Sequence, residues 1–583
     1  MHRLNAFVSA VGVLLVVVQP VCAEPPESAH IDVANSHGIG GACYLNSLGQ
    51  LISYRNPSLT TADVVARSGI ATSVGWGRWP GGGLAAHPRG YTQGVEIDLC
   101  RLCGVSYRVG YGKGGACGSM ALKGASGVTI FKDEAEAVTA LKEQIAAGNP
   151  VQVHIDMYYT WEAVAAAYPS HDFGPAAHGS HSEAVNGYDA DFVYMTDSGL
   201  TYGPGETGEN IPVPWADFLT AWRETPRLSP IRAFWFGPYF MRYLTNDPVD
   251  VDDDWVIAWL GLDAPRRVGD LIVGPDAFRY AADAIRGGRA VESVAPGFSA
   301  GVLTQSREFL PAYFTAAGRA DLAGLYGDSA ALLRSIIEDP DPEPSDVAEK
   351  LDQAADLEES AIGLMQAVAA GVEPVVALAP ADSTHLRRLD VMEFQWLYLP
   401  QVKNPAVQLA MTGDFADRRA VRTMKPRNGN WFVQVTAKDW RTLVAKDGGD
   451  RSLRWRVLGT GPEGQITSQA MTLTWDEQVC EAVAPADGYA AAADEVVRFE
   501  WRAPPVAVRP RLAISTTGDF TDRKTTVYLA PKRGESAVSF KSGTRALLLK
   551  KDDGDGIVYW RIEDAGARLS TVTPSETRTL TLP

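Results

Sequence analysis

A cysteine at the start of a helix, and a histidine and an aspartate set opposite each other in a hairpin, are the residues of this chain whose types and spacing could carry out nucleophilic chemistry. Cys43 follows the run Gly38-Ile39-Gly40-Gly41-Ala42 and precedes Tyr44 to Tyr54, where Leu45, Leu48, Leu51 and Ile52 form one apolar helical stripe. The thiol therefore belongs at a helix N-terminus. There the positive end of the helix dipole and its unsatisfied N–H groups favour a thiolate, and the glycines let a second backbone approach.

The second element is His181-Ser182-Glu183-Ala184-Val185-Asn186-Gly187-Tyr188-Asp189-Ala190-Asp191-Phe192-Val193-Tyr194-Met195-Thr196-Asp197, two alternating segments about a turn at Tyr188 to Ala190. In a hairpin symmetric about Asp189, cross-strand partners have numbers that sum to 378, so His181 faces Asp197. Directly opposed Cβ atoms lie roughly 4.5 to 5.5 Å apart, close enough for a carboxylate to orient an imidazole. His178 has Tyr194 at the corresponding sixteen-residue distance, which offers no carboxylate. Before the hairpin, Glu134 to Ala147 reads as a helix and Val151 to Asp156 as a strand.

A thiol opening the first helix, followed by a late His-x5-Gly-Tyr-Asp hairpin with an Asp sixteen positions beyond the His, resembles the bacteriocin-processing, double-glycine-type branch of the papain-like cysteine peptidases. It is similar also to the N-terminal domain of the butirosin-biosynthesis acyltransferase group, which uses that fold to move an acyl chain. The resemblance covers about the first two hundred residues after the leader. It implies Cys43 as nucleophile, His181 as general base and then acid, and Asp197 as the orienting carboxylate, with a peptide or amide substrate and no metal or organic cofactor. The papain-like pattern places a Gln six positions before the Cys to donate to the oxyanion, and here that position is His37. Asn35, His37 and the backbone N–H of Cys43 are the candidate oxyanion donors. Acyl transfer to an amine on the same fold, and a non-catalytic peptide- or glycan-binding surface protein, are the alternatives.

Around these residues the chain divides into segments. Residues 1–23 hold Arg3, an apolar core from Val8 to Val18 and Val21-Cys22-Ala23, the pattern of a secretory signal peptide, so an exported protein with no membrane span after cleavage is expected. Five of the six cysteines then remain. An odd count in an oxidising compartment leaves one thiol unpaired, which suits Cys43, while Cys100, Cys103 and Cys117 are candidates for a local disulfide whose pairing stays open. Cys480 lies in a later linker.

The expected architecture is multidomain, with an α+β papain-like domain over 25–245, a helical domain over 246–380, and antiparallel β-sandwich modules over 385–480 and 488–583. In the helical part, Val347, Leu351, Ala354, Ala361, Leu364 and Val368 make one stripe on a helix over 346–370, and Asp346 with Glu349 reads as its capping box. The last two hundred residues are duplicated. Phe394-Gln395-Trp396 recurs as Phe499-Glu500-Trp501, Thr412-Gly413-Asp414-Phe415 as Thr517-Gly518-Asp519-Phe520, and Trp455-Arg456 as Trp560-Arg561, each 105 positions apart. These copies resemble the fibronectin type III-like modules of bacterial exported proteins, which implies contacts with a cell surface or glycan. The clusters Asp447 to Asp450 and Asp552 to Asp555 read as hairpin turns, and Asp250 to Asp254 lacks the ligand spacing of a calcium loop. A formal charge of −17 opposes binding to nucleic acid or to an anionic membrane surface.

Overall fold

The computed structural model describes residues 25–583 except 36–37, 41, 78–82, 86–92, 114–124, 170–174, 198–206, 229–236, 265–271, 295–296, 412–414, 418–419, 427–429, 447–449, 533–534, 553 and 566–571. Its described residues fall into two compact units, Pro26–Asp476 and Glu477–Pro583. The signal-peptide reading and the positions His37 and Cys117 lie outside the described residues.

The first unit begins with a mixed α/β layer. Its strands are β1 (Ala29–His30), a small hairpin of β2 (Gly75–Gly77) and β3 (Gly83–Ala85), then β4 (Tyr107–Gly112), β5 (Ala125–Phe131), β6 (Val151–Asp156), β7 (Ser180–Tyr188), β8 (Phe192–Thr196), β9 (Ile211–Pro214) and β10 (Met241–Leu244). Apart from β2 and β3 they form one sheet in the order β5-β4-β10-β6-β7-β8-β9, with β1 also pairing β7. The helices are α1 (Cys43–Arg55), α2 (Thr61–Arg67), α3 (Gln93–Leu102), α4 (Glu134–Ala146), α5 (Trp161–Ala167) and α6 (Trp215–Glu224). The expected helix and strand before the hairpin are thus α4 and β6, with Asp133 capping α4 by accepting from the Glu136 N–H at 2.9 Å.

The apolar positions of β6 and β7 bury Val151, Val153, Ile155 and Val185 with Leu141 and Ile145 of α4 and Phe218 and Trp222 of α6. Burying such side chains stabilises the layer by about 1.5 to 3 kcal/mol each. A polar seam ties α1 to the same strands. The Gln152 Nε2 donates to Ser47 Oγ at 2.7 Å and to the Tyr44 carbonyl at 3.0 Å, and Ser47 and Ser182 share a hydroxyl bond of 2.9 Å. The Arg242 guanidinium donates to Gln152 Oε1 at 2.8 Å and lies 2.9 Å from Glu96, so the buried chain of polar groups ends on a paired charge.

Helices α7 (Asp253–Asp263), α8 (Pro275–Arg286), α9 (Val291–Val294), α10 (Gly297–Glu308), α11 (Leu310–Ala316), α12 (Ala320–Ile337) and α13 (Pro344–Ala369) follow. Helix α13 starts earlier than its apolar stripe suggests. Pro344 occupies the first turn, where its fixed φ and missing N–H are harmless, and Asp346 pairs with Lys350 at 2.8 Å instead of capping the helix. Its buried face takes Val347, Leu351, Ala354 and Ala361 and then moves to Ile362 and Met365, leaving Leu364 exposed. Glu358, buried on that face, receives the Arg307 guanidinium and the Ser329 hydroxyl. In α7 the acidic run acts as a cap: Asp252 accepts from the Trp255 N–H at 3.1 Å, and Asp253 pairs with Arg67 at 3.0 Å.

The unit ends in a β-sandwich whose pairings are antiparallel except for one parallel pair, Thr384–Leu386 beside Leu473–Trp475, where a fully antiparallel module was expected. A three-stranded sheet of β11 (Val375–Ala379), β13 (Met392–Tyr398) and β16 (Phe432–Val435) faces one of β12 (Thr384–Leu386), β14 (Lys403–Ala410), β15 (Val421–Met424), β17 (Ser452–Gly461), β18 (Gly464–Thr467) and β19 (Met471–Trp475), with helix α14 (Ala437–Val444) between β16 and β17. The second unit repeats this plan. It has sheets of β20 (Glu481–Ala484), β22 (Val497–Arg502) and β25 (Ala537–Phe540), and of β21 (Tyr489–Ala490), β23 (Pro510–Ser515), β24 (Thr526–Leu529), β26 (Ile557–Asp564) and β27 (Arg578–Thr581), with helix α15 (Ser542–Lys551). Each core is built on the same edge-to-face pair: Phe394 with Trp455 at 5.1 Å, and Phe499 with Trp560 at 4.9 Å. The Asp552 and Asp555 carboxylates accept the N–H groups of Gly556 and Ile557, as turn residues do.

Candidate functional site

Helix α1 begins on Cys43 itself, as the apolar stripe required. The loop ahead of it is fastened by the helix: Asn46 donates to the Ile39 carbonyl at 3.0 Å and accepts from the Ile39 N–H at 3.2 Å. Gly38 passes so close that an added Cβ would stand 2.0 Å from Asn46 Oδ1, which only glycine avoids. Gln305, on α10 far along the chain, accepts the Gly40 N–H at 2.8 Å and braces the loop from the helical layer. Ala42 offers no side-chain cap, and the N–H of Cys43 is one of those that a helix cannot satisfy within itself. Cys43 is half-buried.

His181 sits near the start of β7 beside Ile155 of β6. Its side chain is 12% exposed, with Nε2 2.9 Å from Glu183 Oε1 and 3.5 Å from Asp197 Oδ1. Both carboxylates are buried, and the Cys43 thiol lies near enough to raise the imidazole's proton affinity. Burial by itself lowers the proton affinity of His181, yet Glu183 first, then Cys43 and Asp197, hold it well above the ordinary value for histidine. Of the expected trio, His181 and Asp197 are brought within 3.5 Å of each other.

Its register differs from the symmetric hairpin. Beside the turn, Gly187 pairs with Tyr194 and Tyr188 with Val193, partners summing to 381; beyond a bulge at Asn186, Ala184 pairs with Thr196 and Val185 with Met195, summing to 380. Continued to Asp197, that register makes Glu183 the direct neighbour and His181 the diagonal one, which is why His181 meets two acids. Glu183 is the neighbour of His181 that the spacing argument missed. Its signal was present, since strand alternation puts it on the same face as His181, two residues on.

Asp197 is held by its main chain. Its N–H donates to the Gly208 carbonyl at 2.8 Å, and its carbonyl accepts from Gln50 Nε2 at 3.1 Å. Gln50, two turns beyond Cys43, also donates to Asn35 Oδ1 at 2.9 Å, while Asn35 Nδ2 donates to the Thr207 carbonyl at 2.8 Å. Asn35 thus serves as a strut between α1 and the 207–209 segment, its amide turned to those partners rather than presented as an oxyanion donor.

His178 has a carboxylate after all, and from a different strand. Its Nδ1 lies 2.9 Å from Asp156 Oδ2, and its ring stacks on Tyr158 at 4.1 Å. Asp156 is buried and also accepts from the Tyr158 and Gly179 N–H groups, each at 3.2 Å. Cys100 and Cys103 correct the disulfide expectation, for both are free and buried. One projects from α3 and the other directly follows it, and burial raises both thiols, Cys103 to about 12, so they pack as apolar groups. Cys480 is likewise free and buried.

No protein-family model matches the chain, and no curated protein matches it. Among solved structures it is similar to the fibronectin(III)-like modules of Clostridium thermocellum CbhA, at 8% identity and a TM-score of 0.13 over 36% of this chain and 92% of that one. Similar values hold for the FN1-FN3 domains of chicken CNTN1, at 10% identity and 0.14 over 36% and 66%, and for the endo-beta-1,4-mannanase of Thermotoga petrophila, at 10% and 0.14 over 31% and 44%. The sandwich architecture of this chain rests on its own paired sheets. Among the described residues no helix is long and apolar enough to cross a membrane.

Proposed function

We propose that the chain is an exported thiol hydrolase that cleaves a peptide or amide bond through Cys43, His181 and the two carboxylates of Asp197 and Glu183. The observation that carries this reading is a buried imidazole set against two buried acids and electrostatically coupled to the thiol that opens a helix. In the reaction His181 takes the thiol proton, and the thiolate sulfur attacks the carbonyl carbon. The oxygen gains negative charge opposite the N–H of Cys43. The C–N bond then breaks as His181 returns the proton to the leaving amine, and a thioester remains. Water, deprotonated by His181, attacks the thioester and releases the acid with the thiol restored. Asp197 and Glu183 keep the imidazole oriented and balance its charge.

Alkylation of Cys43 by iodoacetamide at neutral pH tests the reading, with stoichiometric labelling expected for the wild type and slow labelling for His181→Ala. Equal rates would sink it. The same protein assayed with and without an added amine acceptor separates hydrolysis from acyl transfer on this fold. One observation favours a non-catalytic alternative, namely His37 where a papain-like enzyme carries Gln. On that alternative Cys43→Ala leaves peptide or glycan binding intact and the wild-type thiol is inert.

A further inference from the structure

We infer that His181, Glu183 and Asp197 form a binding site for one divalent transition-metal ion of the zinc class, and that filling it silences the Cys43 thiol. The consequence for the thiol rests on the hydrolase reading; the metal site does not.

The donor set is the first ground. One imidazole nitrogen and two carboxylates, with one ligand atom from each, all lie within 4.8 Å of one another and are buried. Imidazole with carboxylates suits zinc and its neighbours, whereas an all-oxygen shell would suit calcium or magnesium. Spacing is the second. Bonds of zinc to nitrogen and oxygen place tetrahedral ligand atoms about 3.3 Å apart. His181 Nε2 stands 2.9 Å from Glu183 and 3.5 Å from Asp197, so small side-chain shifts open the cage. The support is also in place, since the Asp197 main chain is tied to Gln50 and Gly208.

The effect on the thiol follows from imidazole chemistry. An ion on Nε2 takes that lone pair and leaves the ring proton on Nδ1, so neither nitrogen of the ring can accept a proton from the thiol. The ion is thus an inhibitor of the centre, distinct from a cofactor.

The test uses the full-length protein stripped with a chelator and titrated with Zn2+ in competition with a chromophoric chelator, while iodoacetamide labelling of Cys43 is followed in parallel. One Zn2+ per chain is expected. Affinity should fall at least about 100-fold in Glu183→Gln and in Asp197→Asn, both close in shape to the originals and checked for folding by circular dichroism, and should persist in Cys43→Ser. Labelling of the wild type should slow about tenfold or more with Zn2+ and recover with EDTA. No binding, binding unchanged in Glu183→Gln and Asp197→Asn, loss of binding in Cys43→Ser, or binding that leaves labelling untouched would each overturn the proposal. Should Cys43 prove inert in the metal-free protein, the hydrolase reading fails by that result alone, while the titration still decides the site.

Discussion

His178 and His181 stand three residues apart at the entry to β7, and each meets a carboxylate at 2.9 Å, yet only His181 has a second acid beside it. The His178 side chain is 57% exposed and stacks on Tyr158, and its acid, Asp156, also closes a local turn. His181 is 12% exposed, meets two acids and is electrostatically coupled to the thiol at a helix end. A His–Asp pair by itself is therefore uninformative here. What separates the two is exclusion of water, which strengthens each interaction of His181, and the third group that the imidazole can serve.

The comparison can be broken from either side. Replacing His181 with Ala should lower the second-order labelling rate of Cys43 by roughly 100-fold to 10,000-fold, read by mass spectrometry of the labelled peptide. A drop of less than tenfold would return the two histidines to equal footing. Glu183→Gln and Asp197→Asn should each lower it by about tenfold, near 1.4 kcal/mol in activation free energy, because either acid partly supports the ring when the other is neutral. The double variant should approach His181→Ala, since residues acting on one imidazole do not add simply. Asp156→Ala should leave labelling unchanged but lower unfolding free energy in urea by about 1 to 3 kcal/mol, as buried N–H groups lose their acceptor. Smallest of all is His178→Ala, expected to shift labelling less than twofold and stability by no more than about 0.5 kcal/mol.

Much of the scaffold was legible in the sequence. The stripe of Leu45, Leu48, Leu51 and Ile52 gave the start of α1, and the alternation on either side of Asp189 gave the hairpin. The offset of 105 residues gave the duplication, and the structure repeats it down to the stacking of Arg456 on Phe415 at 4.1 Å and of Arg561 on Phe520 at 4.2 Å. Less legible were features that depend on pairing between distant segments. Asp156 reaches His178 because β6 lies beside β7, and Gln305 reaches Gly40 across 265 positions. Neither contact has a local pattern. Cys100 and Cys103 were misjudged because cysteine counting ignores burial, and the last turn of α3 with the residue after it packs both into the core.

The sequence alone determined that Cys43 opens a helix, that His181 and Glu183 share one face of a strand, and that Asp197 lies at the end of the returning strand, for these follow from local periodicities of 3.6 and 2 residues. Tertiary structure decided which acid stands directly beside the imidazole's strand position and which stands diagonal to it. A bulge at Asn186 shifts the pairing by one residue, and its place is set where β7 exchanges neighbours, with β6 pairing Ser180 to Val185 and β1 pairing Gly187 and Tyr188. Alternation fixes the face of a side chain, but only the packed sheet fixes its partner.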